Sequence, residues 1–296
     1  MIKPITWSRI LWHINRSPMA HVIKSIRRIF FYDEINQRRK LIQQLPVNPI
    51  LTRHTRQVLD EGYTIVSDIV EVGRLAALTR AAESKMVRAN SEELHEITRN
   101  KNFWVRLLDE DMVNGTLAID SPFVEMALQP EIVSIVSHAF GELPRLDYVL
   151  LTLSKSTNDE LSYSQLWHRD HDDTRVIKFF VYLTDVQDSK DGPFTFIPAS
   201  HSDKLGYRLR SHQTDEQIAK RIPPEAIVEM KAPCLSAFIV DTSRCLHMGS
   251  RLSYGHQRLL YTATFISAPR IYPEPPPRFR LCGSESDLLK LLLAQR

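Results

Sequence analysis

Tyr163-Ser164-Gln165-Leu166-Trp167-His168-Arg169-Asp170-His171-Asp172-Asp173 is the stretch that decides how this chain is read. Far downstream it finds two partners, His247 and, eleven residues later, Arg258. Two imidazoles and a carboxylate from separate segments suit one triangular face of a non-haem Fe(II), leaving the opposite face open to a co-substrate and O2. His168 and Asp170 are two residues apart, so an extended segment turns both to one side. One strand then supplies two ligands and a distant strand the third. The same string holds a second His-x-Asp, at His171 and Asp173, and spacing alone leaves the register open. Trp167 favours the first copy: it carries a strand read over 163–168 into His168, whereas His171 falls among acids that read as a departing loop. A solvated polar turn with no metal is the plain alternative.

The downstream context follows the order this chemistry uses. Asp191-Gly192-Pro193 is a turn signal, followed by the β-rich Phe194-Thr195-Phe196-Ile197 and then Pro198-Ala199-Ser200-His201. Ser236 to Asp241 reads as a short apolar strand that delivers Cys245-Leu246-His247, and a further strand from Gln257 to Ile266 opens with Arg258.

With these segments the chain resembles the phytanoyl-CoA dioxygenase family of Fe(II)/2-oxoglutarate oxygenases. The resemblance is carried by Trp167 to Asp170, Tyr182-Leu183-Thr184-Asp185, Gly192 to His201, His247-Met248-Gly249-Ser250 and Arg258. It covers roughly residues 145–268 and, more faintly, the early strand Glu61-Gly62-Tyr63-Thr64-Ile65-Val66. It implies that His168, Asp170 and His247 ligate iron and form the catalytic centre, and that Arg258 anchors the distal carboxylate of 2-oxoglutarate. A planar guanidinium matches a carboxylate bidentately, which a lysine does not. Phe180 aligns with an aromatic beside the co-substrate. Its strand, 175–184, alternates so that Lys178, Phe180 and Tyr182 share one face, and a plain core role for Phe180 is equally open. Two departures stand out. Gly249 occupies a place where some relatives carry a hydroxyl, with Ser250 after it, so no hydroxyl is assigned; Ala199 stands where many members have glycine.

The implied activity is oxidative decarboxylation of 2-oxoglutarate to succinate coupled to hydroxylation of a small organic or acyl substrate. Desaturation or ring formation are other outcomes of the same chemistry. Retention of Asp170 favours oxidation over halogenation, which needs a vacated ligand position. Two alternatives have less in their favour. A non-oxidative jelly-roll enzyme using Zn(II) or Mn(II) leaves Arg258 without a purpose, and a non-enzymatic, membrane-associated binding protein leaves the triad without one. Competing ligands are weaker candidates. His256 has no arginine eleven residues on, His171, His201 and His212 read as loop residues, and Cys245 reads as a small apolar filler.

The rest of the chain bounds this reading. At 296 residues and 43% hydrophobic content it can bury one large core, and no run approaches the length of a membrane-spanning helix. Helical periodicity near 19–30, 34–45, 51–60, 71–88 and 119–139 precedes most strands, read at 63–68, 147–155, 163–168, 175–184, 193–197, 226–230, 236–240 and 257–267. The fold class is therefore mainly β with flanking helices (α+β), a double-stranded β-helix or jelly roll behind an N-terminal helical buttress. One oxygenase domain is expected over 1–296: a helical region with an early strand at 1–140, a jelly-roll core at 141–270, and a linker and helix at 271–296. In that last helix Ser284 and Asp287 have the spacing of a cap ahead of an apolar run that docks.

Charge is unevenly spread. Residues 1–45 carry nine Lys/Arg against Asp33 and Glu34, a net +7 that leaves −4 for the rest of a chain of net +3. Apolar residues interleave with these cations, the composition of a basic helix that meets an anionic membrane surface. The commoner reading, preferred here, is a helix that packs its apolar face on the core and solvates its charges. A cleaved targeting peptide is disfavoured, since the segment is not serine-rich. Three cysteines suit a reducing, cytoplasmic setting. The expected partner is a small molecule, with an anionic or thioester-linked one open; over 201–222 the basic residues Lys204, Arg208, Arg210, Lys220 and Arg221 read as a lid over an anionic substrate or, more commonly given Asp203, Asp215 and Glu216, as a solvated loop of mixed charge, and no nucleic-acid partner is expected.

Overall fold

A computed structural model describes residues 7–17, 19–89, 103–157, 159–206 and 211–293. Four helices lead: α1 (Trp7–Arg16), α2 (Ala20–Phe30), α3 (Tyr32–Leu41) and α4 (Pro49–Glu61). Then come β1 (Tyr63–Ile65), α5 (Val72–Ala89), β2 (Trp104–Arg106), α6 (Asp109–Val113), β3 (Leu117–Ala118), α7 (Pro122–Ala127) and α8 (Pro130–Phe140). The second half supplies β4 (Arg145–Lys155), β5 (Val176–Tyr182), β6 (Phe194–Ile197), α9 (Ala199–Ser202), α10 (Asp215–Ala219), β7 (Val228–Met230), β8 (Ala237–Asp241), β9 (Leu246–Met248) and β10 (Gln257–Ile266). Last are β11 (Phe279–Arg280) and α11 (Asp287–Leu293).

The strands form a jelly roll. A six-stranded antiparallel sheet runs β1-β8-β5-β10-β4-β2, and a three-stranded one runs β7-β6-β9. Period-two alternation divides the large sheet cleanly. Ile177, Phe179 and Val181 of β5 and Leu259, Tyr261, Ala263 and Phe265 of β10 join one core with Leu51, Leu78, Ile132 and Ile135 of the helices. Phe180, Tyr182, Phe238 and Leu260 face the other way, packing on Phe194, Phe196 and Met230 of the small sheet. This second face carries the site.

Gly62 ends α4 with φ +80, the left-handed conformation glycine adopts freely, and β1 starts at once. A side chain there would stand 2.5 Å from Cys245 Sγ and 2.9 Å from the Ala199 methyl, so the early strand meets the core only as a glycine turn.

Several expectations are corrected. The strand read at 163–168 begins instead as a 3₁₀ turn over Tyr163–Gln165, because Gln165 folds back so that its Oε1 accepts from Ser162 N at 3.2 Å. Only Trp167 and His168 keep isolated bridge pairing, with Gln213 and His247. The helix read at 119–139 is two helices, since Pro130 has no N–H to continue the first and starts the second. The cap of α11 is Ser286, whose hydroxyl accepts from Leu289 N at 3.3 Å, while Leu292 and Leu293 are buried.

The N-terminal helices dock, but not by the face expected. On α2 the buried residues are Ile23 and Arg27, and on α3 Ile35 and Arg38. Arg27 pairs with Glu142 at 2.5 Å and donates to the Ala268 and Pro269 carbonyls; Arg38 reaches the Leu143 and Leu291 carbonyls at 3.2 Å each. Val22, Ile26, Ile29 and Phe30 are left exposed. Unmet carbonyls at the ends of core elements attract guanidinium donors more than the apolar stripe attracts the core. Among the described residues no helix is long and apolar enough to cross a membrane.

Candidate metal centre and co-substrate pocket

His168 and His247 face each other across a two-stranded bridge. His168 N donates to His247 O and His247 N to His168 O, each at 2.9 Å, and the imidazole centroids are 4.3 Å apart. Each ring nitrogen Nδ1 lies on a backbone carbonyl, His168 on Leu166 O at 2.8 Å and His247 on Cys245 O at 3.0 Å. A carbonyl only accepts, so Nδ1 carries the proton in both rings and Nε2 is the nitrogen able to ligate. Asp170 N donates to Thr242 O at 3.0 Å, which aims the carboxylate at the same point. Its oxygens stand 3.8 Å from His168 Nε2 and 3.6 Å from His247 Nε2. One ligand atom from each of the three residues lies within 4.8 Å of the others. Among the described residues no other such group of His, Cys, Asp and Glu occurs.

Electrostatics match this geometry. Burial, reinforced by His168, pushes the His247 imidazole down to about 3, so it is neutral and able to ligate. Burial alone would raise the Asp170 carboxyl, but Lys178, with both imidazoles, holds it well below the usual carboxylate range. Lys178 Nζ is 2.7 Å from Asp170 Oδ2. Apart from that ion pair, Oδ2 has no hydrogen-bond partner among the described residues. A buried carboxylate oxygen with unused lone pairs between two imidazole lone pairs fits a divalent cation.

The triad lies in a cavity of about 260 Å³ that is also lined by Phe180 and Arg258. Arg258 is 2% exposed, donates to the Gly192 carbonyl and, from Nη2, to Ser250 Oγ at 3.1 Å, and has no acidic partner among the described residues. Its Nε has no hydrogen-bond partner. Phe180 lines the cavity and packs against Phe194 and Phe238, with ring centroids 4.7 and 5.1 Å away. Clefts of larger volume, such as one of about 750 Å³ beside Arg145 and Asp147, hold no such set of ligands.

The second His-x-Asp is elsewhere. Asp173 is 1% exposed, and its oxygens accept from Thr174 N at 2.7 Å and Ile271 N at 3.1 Å. His256 pairs with Asp191 at 2.8 Å, and Cys245 packs in the second core as a filler. Four residues were missed. Ser250 supplies the hydroxyl the sequence reading left unassigned, brought beside Arg258 by a backbone φ of +59. Lys178 shares the face of Phe180, a signal present in the alternation. Trp104 and Arg106 line the cavity from β2, where no pattern marks them. Of the proposed lid, Lys204, Lys220 and Arg221 do not line the cavity, and Arg208 and Arg210 lie outside the described residues.

Comparison with known proteins bears on the fold and the family. No curated protein sequence matches the chain. Among solved structures it is similar to the non-heme alpha-ketoglutarate-dependent epimerase SnoN from nogalamycin biosynthesis, with a TM-score of 0.56 at 18% identity, covering 81% of this chain and 92% of that one. It is equally similar to EctD from S. alaskensis, solved with 2-oxoglutarate and 5-hydroxyectoine, with a TM-score of 0.56 at 16% identity over 80% and 88% of the two chains. AviO1 from Streptomyces viridochromogenes Tue57 gives 0.53 at 13%, over 78% and 100%. These likenesses are of fold. The phytanoyl-CoA dioxygenase (PhyH) family model matches residues 59–236, more than half of the chain, taking in His168 and Asp170 and ending before His247. The chain belongs to the phytanoyl-CoA dioxygenase family of Fe(II)/2-oxoglutarate-dependent oxygenases.

Proposed function

We propose that this single-domain oxygenase holds Fe(II) on His168, Asp170 and His247, binds 2-oxoglutarate through Arg258, and hydroxylates a small organic or acyl molecule. The observation that carries the co-substrate assignment is the buried, acid-free Arg258 guanidinium in the triad's own cavity. A cation out of water without a counter-charge is costly, and a carboxylate ligand removes that cost. Bound iron and 2-oxoglutarate supply the oxidation, dividing O2 between succinate, formed with loss of CO2, and the hydroxyl placed on the product.

The chain's own residues do the positioning. The Leu166 and Cys245 carbonyls fix both rings with Nε2 toward the centre. Ser250, itself 3.1 Å from Ser154 Oγ, steadies Arg258 at the far end. Phe180, Phe194 and Leu260 give the space between them an apolar wall. Trp104 and Arg106, both half-exposed on the edge strand β2, stand at the rim, where the primary substrate is expected to enter. Support for a small-molecule substrate is the cavity itself, which holds a co-substrate and little more. The test is succinate release from 2-oxoglutarate by Fe(II)-loaded protein across a metabolite pool, with the hydroxylated product found by mass. Turnover that persists in Asp170→Ala would remove the proposal.

A further inference from the structure

The alternation that sends His168 and Asp170 to the metal cavity sends Arg169 and His171 to a second one behind it. This cleft, of about 700 Å³, lies between the N-terminal helices and the core. Five cationic side chains line it: Arg16 and Lys24 from the helices, Arg169, Arg175 and Arg244 from the core. Among the described residues no carboxylate does, and the Ser17, Thr174 and Ser243 hydroxyls in its wall donate to Ile14 O, Ser267 Oγ and Asp241 Oδ1. The cleft beside Arg145 differs in this respect, since Asp33, Glu34, Asp147 and Glu274 line it too.

Some of this charge is answered from outside the cleft. Arg175 Nε donates to Asp241 at 2.8 Å, and Arg244 Nη2 to Asp203 at 2.7 Å. Arg169 gives Nη2 to the Ser202 carbonyl and hydroxyl, but its Nε is buried without a partner. Lys24 makes no ion pair with any described residue. Asp241 and Asp203 answer two of the five cations from outside the cleft and Arg16 has contacts of its own, while the described residues that line the cleft include no acid. Ala20, the first residue of α2, also lines the cleft, so the positive end of that helix adds to the field.

We infer that this cleft is an anion site, separate from the 2-oxoglutarate pocket, that takes a phosphoryl group. Guanidinium groups and an ammonium without a competing carboxylate in the lining are the chemistry that recognises a phosphoryl dianion. The volume accommodates an organic group attached to it. The inference does not depend on iron or on the proposed reaction. A soluble phosphoester and a phospholipid headgroup share this chemistry. Exposed Val22, Ile26, Ile29 and Phe30 on the helix that carries Lys24 make both sources worth separating.

The test uses the full chain and inorganic pyrophosphate, titrated calorimetrically at constant ionic strength with chloride as the balancing anion. Saturable 1:1 binding is expected. Lys24→Gln, which alters one exposed side chain and leaves the fold intact, should weaken it, and Arg16→Glu with Lys24→Glu should weaken it by about tenfold or more. Arg39→Glu with Lys40→Glu, both exposed on α3 and outside the cleft, should leave it unchanged. In parallel, the protein is sedimented with phosphatidylcholine vesicles with and without phosphatidic acid. Sedimentation that pyrophosphate displaces supports the site with a headgroup as its ligand; binding in solution without sedimentation supports it with a soluble one. Absence of saturable binding, wild-type affinity in the Arg16/Lys24 variant, or an equal loss in the α3 variant would overturn the inference.

Discussion

Lys178 Nζ sits 2.7 Å from Asp170 Oδ2, so the candidate carboxylate ligand already has a cation beside it before any metal arrives. Both side chains are largely buried, at 15% and 14% exposure. Burial would depress Lys178, yet Asp170, with Tyr148 and Asp172, holds it above the ordinary lysine range. The pair keeps the acidic point of the triad compact. Removing one partner of such a pair leaves a buried charge alone, at a cost of about 3–5 kcal/mol. Lys178→Met is therefore expected to destabilise the metal-free protein by that order, and bound Co(II) to restore more stability to the variant than to the wild type. Denaturant midpoints with and without Co(II) measure this. An identical loss in both states would show that Lys178 serves the fold and not the metal centre.

Arg258 gives an opposite sign for the free protein. Because its charge is buried without an acid, Arg258→Met is expected to raise the melting temperature of the protein alone. The same change should weaken 2-oxoglutarate by roughly ten- to a hundredfold while sparing metal affinity. Arg258→Lys should recover part of the binding. An unchanged 2-oxoglutarate titration would take away the co-substrate assignment.

Asp173 separates the two registers of His-x-Asp and carries a pH signature. Burial pushes its carboxyl up to about 6, opposed by hydrogen bonds from Thr174 and Ile271. A pKa raised in the folded state adds stability that is complete below the unfolded value near 4 and is lost as pH rises through about 6. Relative to Asp173→Asn, the wild type should lose up to about 3 kcal/mol between pH 4 and pH 7. Metal binding should be the same in both. Parallel stability profiles across that range, or loss of metal in the variant, would count against this placement.

Arg27 tests how the N-terminal helices are held. Its pair with Glu142 is buried on both sides, at 8% and 9% side-chain exposure. Arg27→Met strands Glu142 and should cost about 3–5 kcal/mol. Ile29→Ser, on the exposed stripe, should fall within about 0.5 kcal/mol of wild type. Comparable losses at the two positions, read by urea denaturation, would mean that the stripe is covered.

Much of the site was legible because a strand alternates. Once β5 and β10 are placed, Lys178, Phe180 and Arg258 must share a face, whereas spacing alone left the register of the His-x-Asp pair open. Three things were not legible. Gln165 curls back on Ser162 in a segment whose composition reads as strand, so local hydrogen bonding overrides β propensity there. Ser250 reaches Arg258 only because its backbone turns left-handed, which an ordinary serine does not announce. In α2 the amphipathic pattern is present, yet the core binds the edge with Arg27. Apolar periodicity reports a face, not which face finds carbonyls to satisfy.

The most direct measurement is a Co(II) titration followed by ligand-field absorption, repeated in five single alanine variants. One tight site per chain is expected in the wild type. Loss of it is expected in His168→Ala, Asp170→Ala and His247→Ala, and retention in His171→Ala and Asp173→Ala. Retention of stoichiometric metal in any of the first three, with loss in His171→Ala or Asp173→Ala, would contradict the proposed centre.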